Sequence, residues 1–136
     1  MPFEPFVIQR TVLFGDCDAS KNIYAPILSH YIAESAGKFL DYRFGRPHIR
    51  DCFRIKVSLS ARVLISEFIR PMTWDDEIDI HVYVGELRSR AFSIDIRGLD
   101  CDGNEMLKGR LTYVCVSMDT GKAVAIPEPW RVALQD

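Results

Sequence analysis

The sequence predicts an α+β domain, with one long helix packed on a curved antiparallel sheet of five to six strands. Three observations carry that prediction. Apolar residues recur at helical spacing from Pro26 onward, they recur every second residue from Ile55 onward, and turn-forming residues punctuate the second pattern at short intervals. A chain of 136 residues is long enough to bury one real core, so a single domain over residues 1–136 is expected.

The elements follow in order. Phe6 to Leu13 reads as a strand. From Pro26, the residues Ile27, Leu28, Tyr31, Ile32, Ala36, Phe39 and Leu40 form one apolar stripe. Pro26 suits the first turn of a helix, where its missing N–H costs nothing. Gly45 to Pro47 marks the exit from the helix. Ile55, Val57, Leu59, Ala61, Val63 and Ile65 then alternate with polar residues along one long strand, which Arg70-Pro71 and Trp74-Asp75-Asp76 break. Ile78 to Val84 makes the next strand, and a turn near Glu86–Arg90 leads to Phe92, Ile94 and Ile96. Asp102-Gly103 is a hairpin signal before the long strand Leu107 to Met118. Asp119 to Lys122 turns the chain into a short run, Ala123 to Ile126, and Pro127 and Pro129 then disrupt pairing. Consecutive strands with tight turns read as an antiparallel meander, and a lone helix must bury its stripe on one face of that sheet. Open edges invite a second copy, so a homodimer is expected.

Composition excludes several classes. A formal net charge of −2 argues against a nucleic-acid module driven by bulk charge, while leaving room for a local basic patch. The four cysteines (Cys17, Cys52, Cys101 and Cys115) are widely spaced with no C-x-x-C, which is neither a zinc nor a disulfide framework. His30, His48 and His81 show no ligand spacing. The start Met-Pro-Phe-Glu-Pro lacks the basic end and apolar run of a secretory leader, and no apolar stretch approaches a membrane span. A cytoplasmic protein with reduced thiols is expected, without membrane or nucleic-acid partners.

Chemistry concentrates in Phe14-Gly15-Asp16-Cys17-Asp18, a tight acidic loop that delivers the chain to the helix near Pro26. Helix N-termini present unpaired N–H groups and partial positive charge, so a carboxylate beside one can work on a polarised carbonyl. Asp18 is the first candidate; on residue type alone it reads as well as a turn or capping residue. Asp16 and Asp18 form a D-x-D that could hold a divalent cation, but no third carboxylate lies nearby in sequence, and Asp16 reads better as a loop-shaping residue. Cys17, between two aspartates, is disfavoured as a thiolate.

With its helix and strands added, the loop resembles that of the hotdog-fold acyl-CoA thioesterases of the 4-hydroxybenzoyl-CoA thioesterase-like family. The residues that carry the resemblance are Phe14 to Asp18, Tyr24, Pro26 and the helix behind them. Arg70 to Asp76 running into Ile78–Val84, Glu86 to Phe92 and the strand Gly109–Met118 add to it. The resemblance implies that Asp18 is the catalytic carboxylate and that the backbone N–H of Ala25 points at the thioester oxygen. It also implies that sites lie at a subunit interface and that dimers pair into a homotetramer. The family usually has glycine three residues after the aspartate, where this chain has Lys21.

The expected activity is hydrolysis of an acyl-CoA thioester to free acid and CoA, with Asp18 as nucleophile or general base and with no metal or cofactor. Arg88 and Arg90, paired at a hairpin tip, suit coenzyme A phosphates, as the resemblance implies, or make a solvated basic turn. Lys21 could reach the pantetheine or a phosphate, or pair with Asp16. Tyr24 could flank the acyl group or be simple core. Two alternatives stay open: a thioesterase for acyl carrier protein substrates, and a non-catalytic acyl-binding hotdog subunit.

Overall fold

A computed structural model describes residues 5–135 of the chain. Among them, five strands form one antiparallel sheet. These are β1 (Phe6–Thr11), β2 (Val57–Phe68), β3 (Glu77–Leu87), β4 (Ala91–Leu99) and β5 (Glu105–Ser117), in the order β1-β3-β4-β5-β2. The meander is therefore β3-β4-β5 only. β2 pairs with β5, from Val57 opposite Ser117 to Phe68 opposite Leu107, and not with the strand that follows it. β1 pairs with β3 at the opposite edge.

The long helix α1 (Ala25–Phe44) lies across the sheet and buries the predicted stripe, with Leu28, Tyr31, Ile32, Ala36, Phe39 and Leu40 no more than 1% exposed. Beneath it lie the inward residues of the central strands, among them Ile80, Ile94, Ile96 and Leu111. A Cβ at Gly109 would collide with the Ile32 side chain, so the bare backbone there lets α1 settle on β5. Gly45 ends α1 with φ of 72°, a left-handed cap that glycine adopts without strain.

Four expectations need correction. Residues 48–55 form a second helix, α2 (His48–Ile55), so Ile55 closes a helix and does not open the long strand. The alternation along β2 is also broken. The register shifts between Ala61 and Val63, where a bulge at Arg62 turns Val63 and Ile65 to the face of the sheet away from α1, leaving them 44% and 50% exposed. Finally, Ala123 to Ile126 contributes a single bridge, Val116 to Ala123, and Pro127 and Pro129 start a third helix, α3 (Glu128–Leu134). Proline is at home in a first helical turn, so the same residues that end pairing begin this helix. β1 also stops at Thr11, two residues short of Leu13. The Asp102-Gly103 hairpin joins β4 to β5 as expected, with Gly103 at φ of 82°. Among the described residues, no helix is long and apolar enough to cross a membrane.

Candidate active site

After β1 the chain makes a single 3-10 turn, Phe14–Asp16, and then a loop closed on itself before α1. Cys17 and Ile23 form an antiparallel bridge, Asp18 N–H donates to the Asn22 carbonyl (3.0 Å), and Tyr24 N–H donates to the Asp16 carbonyl (2.9 Å). These bonds lay residues 16–18 alongside residues 22–24, immediately before the helix start. The β2–β3 connection braces the far side. Ile23 N–H donates to the Met72 carbonyl, and the Thr73 hydroxyl donates to the Lys21 carbonyl.

Asp18 is fully exposed at the apex of this loop. Its Oδ1 accepts the Ser20 N–H (2.8 Å) and the Ser20 hydroxyl. Those bonds, the hydroxyl first, hold the Asp18 carboxyl below the usual carboxylate range, so it is ionised at neutral pH. Oδ2 accepts no hydrogen bond from any described residue. At the helix start, Tyr24 is the N-cap and its side chain makes no capping bond; Ala25 and Pro26 are the first two helical residues. Tyr24's carbonyl accepts from Ile27 (2.8 Å), and Pro26 has no N–H. The Ala25 N–H thus heads the helix with no acceptor among the described residues.

Asp16 shapes the loop. Its Oδ2 accepts the Leu13 N–H (3.1 Å) and the Tyr31 hydroxyl (2.6 Å). Tyr31 belongs to the apolar stripe of α1, and its ring is fully buried. Burial and the Asp16 bond push its hydroxyl pKa up to about 12. The Arg10 guanidinium lies over that ring (3.9 Å to the centroid) and pairs with Glu34 (2.6 Å). Sequence reasoning missed Ser20, Tyr31 and Thr73 here. Only Ser20 carried a local signal, an acidic residue two positions before a serine, which favours such a turn.

Lys21 is exposed and adopts φ of 71°. The left-handed backbone that glycine would take freely is therefore present with a lysine in place, and its N–H donates to the Asp18 carbonyl (2.9 Å). Its ammonium makes no ion pair among the described residues, and the Asp16 carboxylate it could have met is occupied by Tyr31. Tyr24 is 53% exposed and is not core.

Arg88 and Arg90 do lie at a hairpin tip, between β3 and β4. Arg88 pairs with Glu86 (2.5 Å), and its carbonyl accepts a bond from Arg131. Within one chain they are not near Asp18. The loop is bonded at the start of β3, and eleven residues of strand put these arginines on the order of 30 Å away at the other end of the sheet.

A groove of about 370 Å³ opens between the loop and the end of β2, lined by Asn22, Ile23, Phe68, Ile69, Arg70 and Pro71. No cluster of three or more His, Cys, Asp or Glu side chains suited to a metal ion occurs among the described residues.

Residues 12–134 match the model of the thioesterase-like superfamily. A putative esterase of Aquifex aeolicus (strain VF5) is 27% identical over 133 residues, covering 97% of this chain and 99% of its own. Among solved structures, a gentisyl-coenzyme A thioesterase superposes with a TM-score of 0.82 at 22% identity, covering 96% of this chain and all of that one. A 1,4-dihydroxy-2-naphthoyl-CoA thioesterase from Synechocystis gives 0.84 at 15% identity, covering 96% of each chain. A Staphylococcus aureus protein solved in complex with CoA gives 0.89 at 11% identity, covering 98% of this chain and 83% of that one.

Proposed function

We propose that this chain, which belongs to the thioesterase-like superfamily and is a thioester hydrolase of the hotdog fold, cleaves an acyl-CoA thioester to free acid and CoA. The observation that carries this reading is the pairing of an ionised, exposed carboxylate with an adjacent helix start, one carboxylate oxygen and the helix's first N–H both lacking a hydrogen-bond partner among the described residues. Asp18 Oδ2 attacks the thioester carbonyl, or takes a proton from a water that does so. The oxyanion that forms accepts the Ala25 N–H and the positive end of α1. The C–S bond then breaks. Coenzyme A leaves as a thiolate whose conjugate acid has a pKa of roughly 8.5 by analogy with cysteine, so little acid assistance and no cofactor or metal is required. In the nucleophilic route, water hydrolyses the acyl-aspartate anhydride and restores Asp18.

Substrate contacts follow from position. Tyr24, half exposed beside the helix start, flanks the acyl group. Lys21, on the same loop, brings a positive charge toward the pantetheine or a phosphate. Arg88 and Arg90 hold the CoA phosphates from a second subunit. The free edge of β2 supports that assembly. It is twelve residues long, unpaired on one side among the described residues, and rich in exposed apolar side chains. Pairing of β2 with its own copy is antiparallel under a two-fold axis, which swings the hairpin end of one sheet to the loop end of the other. Charge favours the same arrangement. Asp75, Asp76, Asp100 and Asp102 lie at the loop end, and Arg88, Arg90, Lys122 and Arg131 at the hairpin end. A homodimer, or a homotetramer built from two such dimers, is the proposed assembly. The four cysteines are free thiols, which fits a cytoplasmic location.

The test is release of free thiol from a panel of aromatic, short-chain and long-chain acyl-CoAs. Turnover of one class is the expected result. Silence on the whole panel by folded protein, with hydrolysis of the same acyl groups on an acyl carrier protein, would replace the CoA donor; tight acyl-CoA binding without thiol release would indicate a binding subunit.

A further inference from the structure

Tyr31 carries more chemistry than its place in the apolar stripe requires. A phenylalanine would fill the same space, as Phe39 does further along α1, yet here a hydroxyl is buried with the ring. Such a hydroxyl needs a partner. It has one in Asp16 Oδ2 at 2.6 Å, the same oxygen that accepts the Leu13 N–H. Long side chains on a helix lean toward its N-terminus, so a tyrosine two turns inside α1 reaches back to the loop that precedes the helix. The ring itself is backed by the Arg10 guanidinium, which Glu34 holds in turn.

Asp16 is joined to both halves of the candidate chemistry. Its carbonyl accepts the Tyr24 N–H (2.9 Å), one residue before Ala25. Two residues beyond Asp16 comes Asp18, whose N–H is bonded to the Asn22 carbonyl (3.0 Å). The loop fixes little through its own packing, because Asp18 to Lys21 are all exposed. The Tyr31 hydroxyl ties that loop to the same helix that presents the Ala25 N–H. The tie lies wholly within one chain, behind the loop and out of solvent.

We propose that Tyr31 is a positioning residue for the hydrolysis: through Asp16, its hydroxyl keeps the Asp18 carboxylate in register with the Ala25 N–H, so that both reach one thioester carbonyl. The proposal rests on the thioesterase reading above. It adds a group that touches neither the substrate nor a second copy of the chain. A misplacement of about 1 Å between reacting groups costs up to roughly 10²-fold in rate.

Tyr31→Phe removes the hydroxyl and keeps the ring. Its kcat for thiol release is expected to fall about 10–100-fold with KM little altered, in a protein that a thermal melt shows to be folded. Asp16→Ala is expected to fall by a similar factor, and the double variant no further than either single one, because the two groups act through one bond. Asp16→Asn separates positioning from charge. Both bonds to Asp16 go to one oxygen, which an amide carbonyl can replace, so Asp16→Asn is expected to restore most of the kcat that Asp16→Ala loses. Wild-type kcat in Tyr31→Phe, a change in KM alone, or an Asp16→Asn as slow as Asp16→Ala would overturn the proposal. Should Tyr31→Phe not fold, the two Asp16 variants decide. Hydrogen exchange reads the same tie without substrate. In Tyr31→Phe the Asp18 and Tyr24 amides are expected to exchange at least about 10-fold faster, with the amides in the middle of α1 unchanged. Unchanged exchange in the loop, or equal acceleration throughout α1, would overturn the proposal. Silence of wild type on every acyl-CoA would count against the thioesterase reading, and the exchange rates would still decide whether Tyr31 holds the loop.

Discussion

Replacing Ala25 with proline is expected to lower kcat for thioester hydrolysis by about 10²–10³-fold while leaving the melting temperature nearly unchanged. The substitution removes one atom of interest, the hydrogen on the backbone nitrogen at the head of α1. Proline is favoured at the first helical position, and no helical hydrogen bond is lost because that N–H has no acceptor among the described residues. The residue before a proline must be extended, and Tyr24 already is, with φ of −66° and ψ of 130°. A folded variant with unchanged kcat would show that the oxyanion is held elsewhere. A fall confined to kcat, with KM little altered, is the signature of a contact made in the transition state.

The second large effect concerns stability. Asp51 is 4% exposed, and its carboxylate accepts the indole N–H of Trp130 (2.6 Å) and two bonds from Arg54 (3.1 and 2.8 Å). Trp130 is buried and stacks on Phe44 at the end of α1, with ring centroids 5.3 Å apart. One carboxylate therefore ties α2 and α3 to α1. Asp51→Ala leaves the buried indole N–H unpaired and is expected to cost about 2–3 kcal/mol, or roughly 10 °C in Tm for a chain of this size. Burial pushes the Asp51 carboxyl up, but the bonds from Trp130 and Arg54 outweigh it and hold the group below its ordinary value. The folded-state pKa is thus lower than the unfolded one. Its contribution is complete above the unfolded pKa near ~4 and is lost as pH falls through the lower folded value. Denaturant melts at pH 7 and at pH 3 should show the gap between wild type and Asp51→Ala narrowing in acid. A gap that stayed constant would mean that the ionised carboxylate contributes nothing beyond what the neutral carboxyl does.

Periodicity found what periodicity can find. The α1 stripe and the strands β3, β4 and β5 were legible because each buries one face, and burial imposes its period on the sequence. α2 was hidden for the converse reason. Its buried residues are Asp51 and Cys52, its apolar Ile49 and Phe53 face outward, and Ile55 falls in step with the alternation that follows. The bulge at Arg62 was equally invisible, because an extra residue in a strand leaves the composition alone while reversing which side chains point inward. Asp18 and Ala25 were legible as a loop and a helix start, but Tyr31 was counted as an apolar residue, and only the fold shows its hydroxyl on Asp16. Arg88 and Arg90 were placed correctly on a turn. Their distance from Asp18 depends on strand order, which no local pattern encodes.

Thiol release from the best acyl-CoA of the panel, wild type beside Asp18→Asn, tests whether Asp18 performs the hydrolysis. Asparagine keeps an oxygen for the Ser20 bonds and so keeps the turn, but it can neither attack a thioester nor take a proton from water. Wild type is expected to release CoA and free acid in equal amounts, and the variant to do so at a rate at least about 10³-fold lower while melting at the same temperature. Equal rates from the two proteins would contradict that role for Asp18.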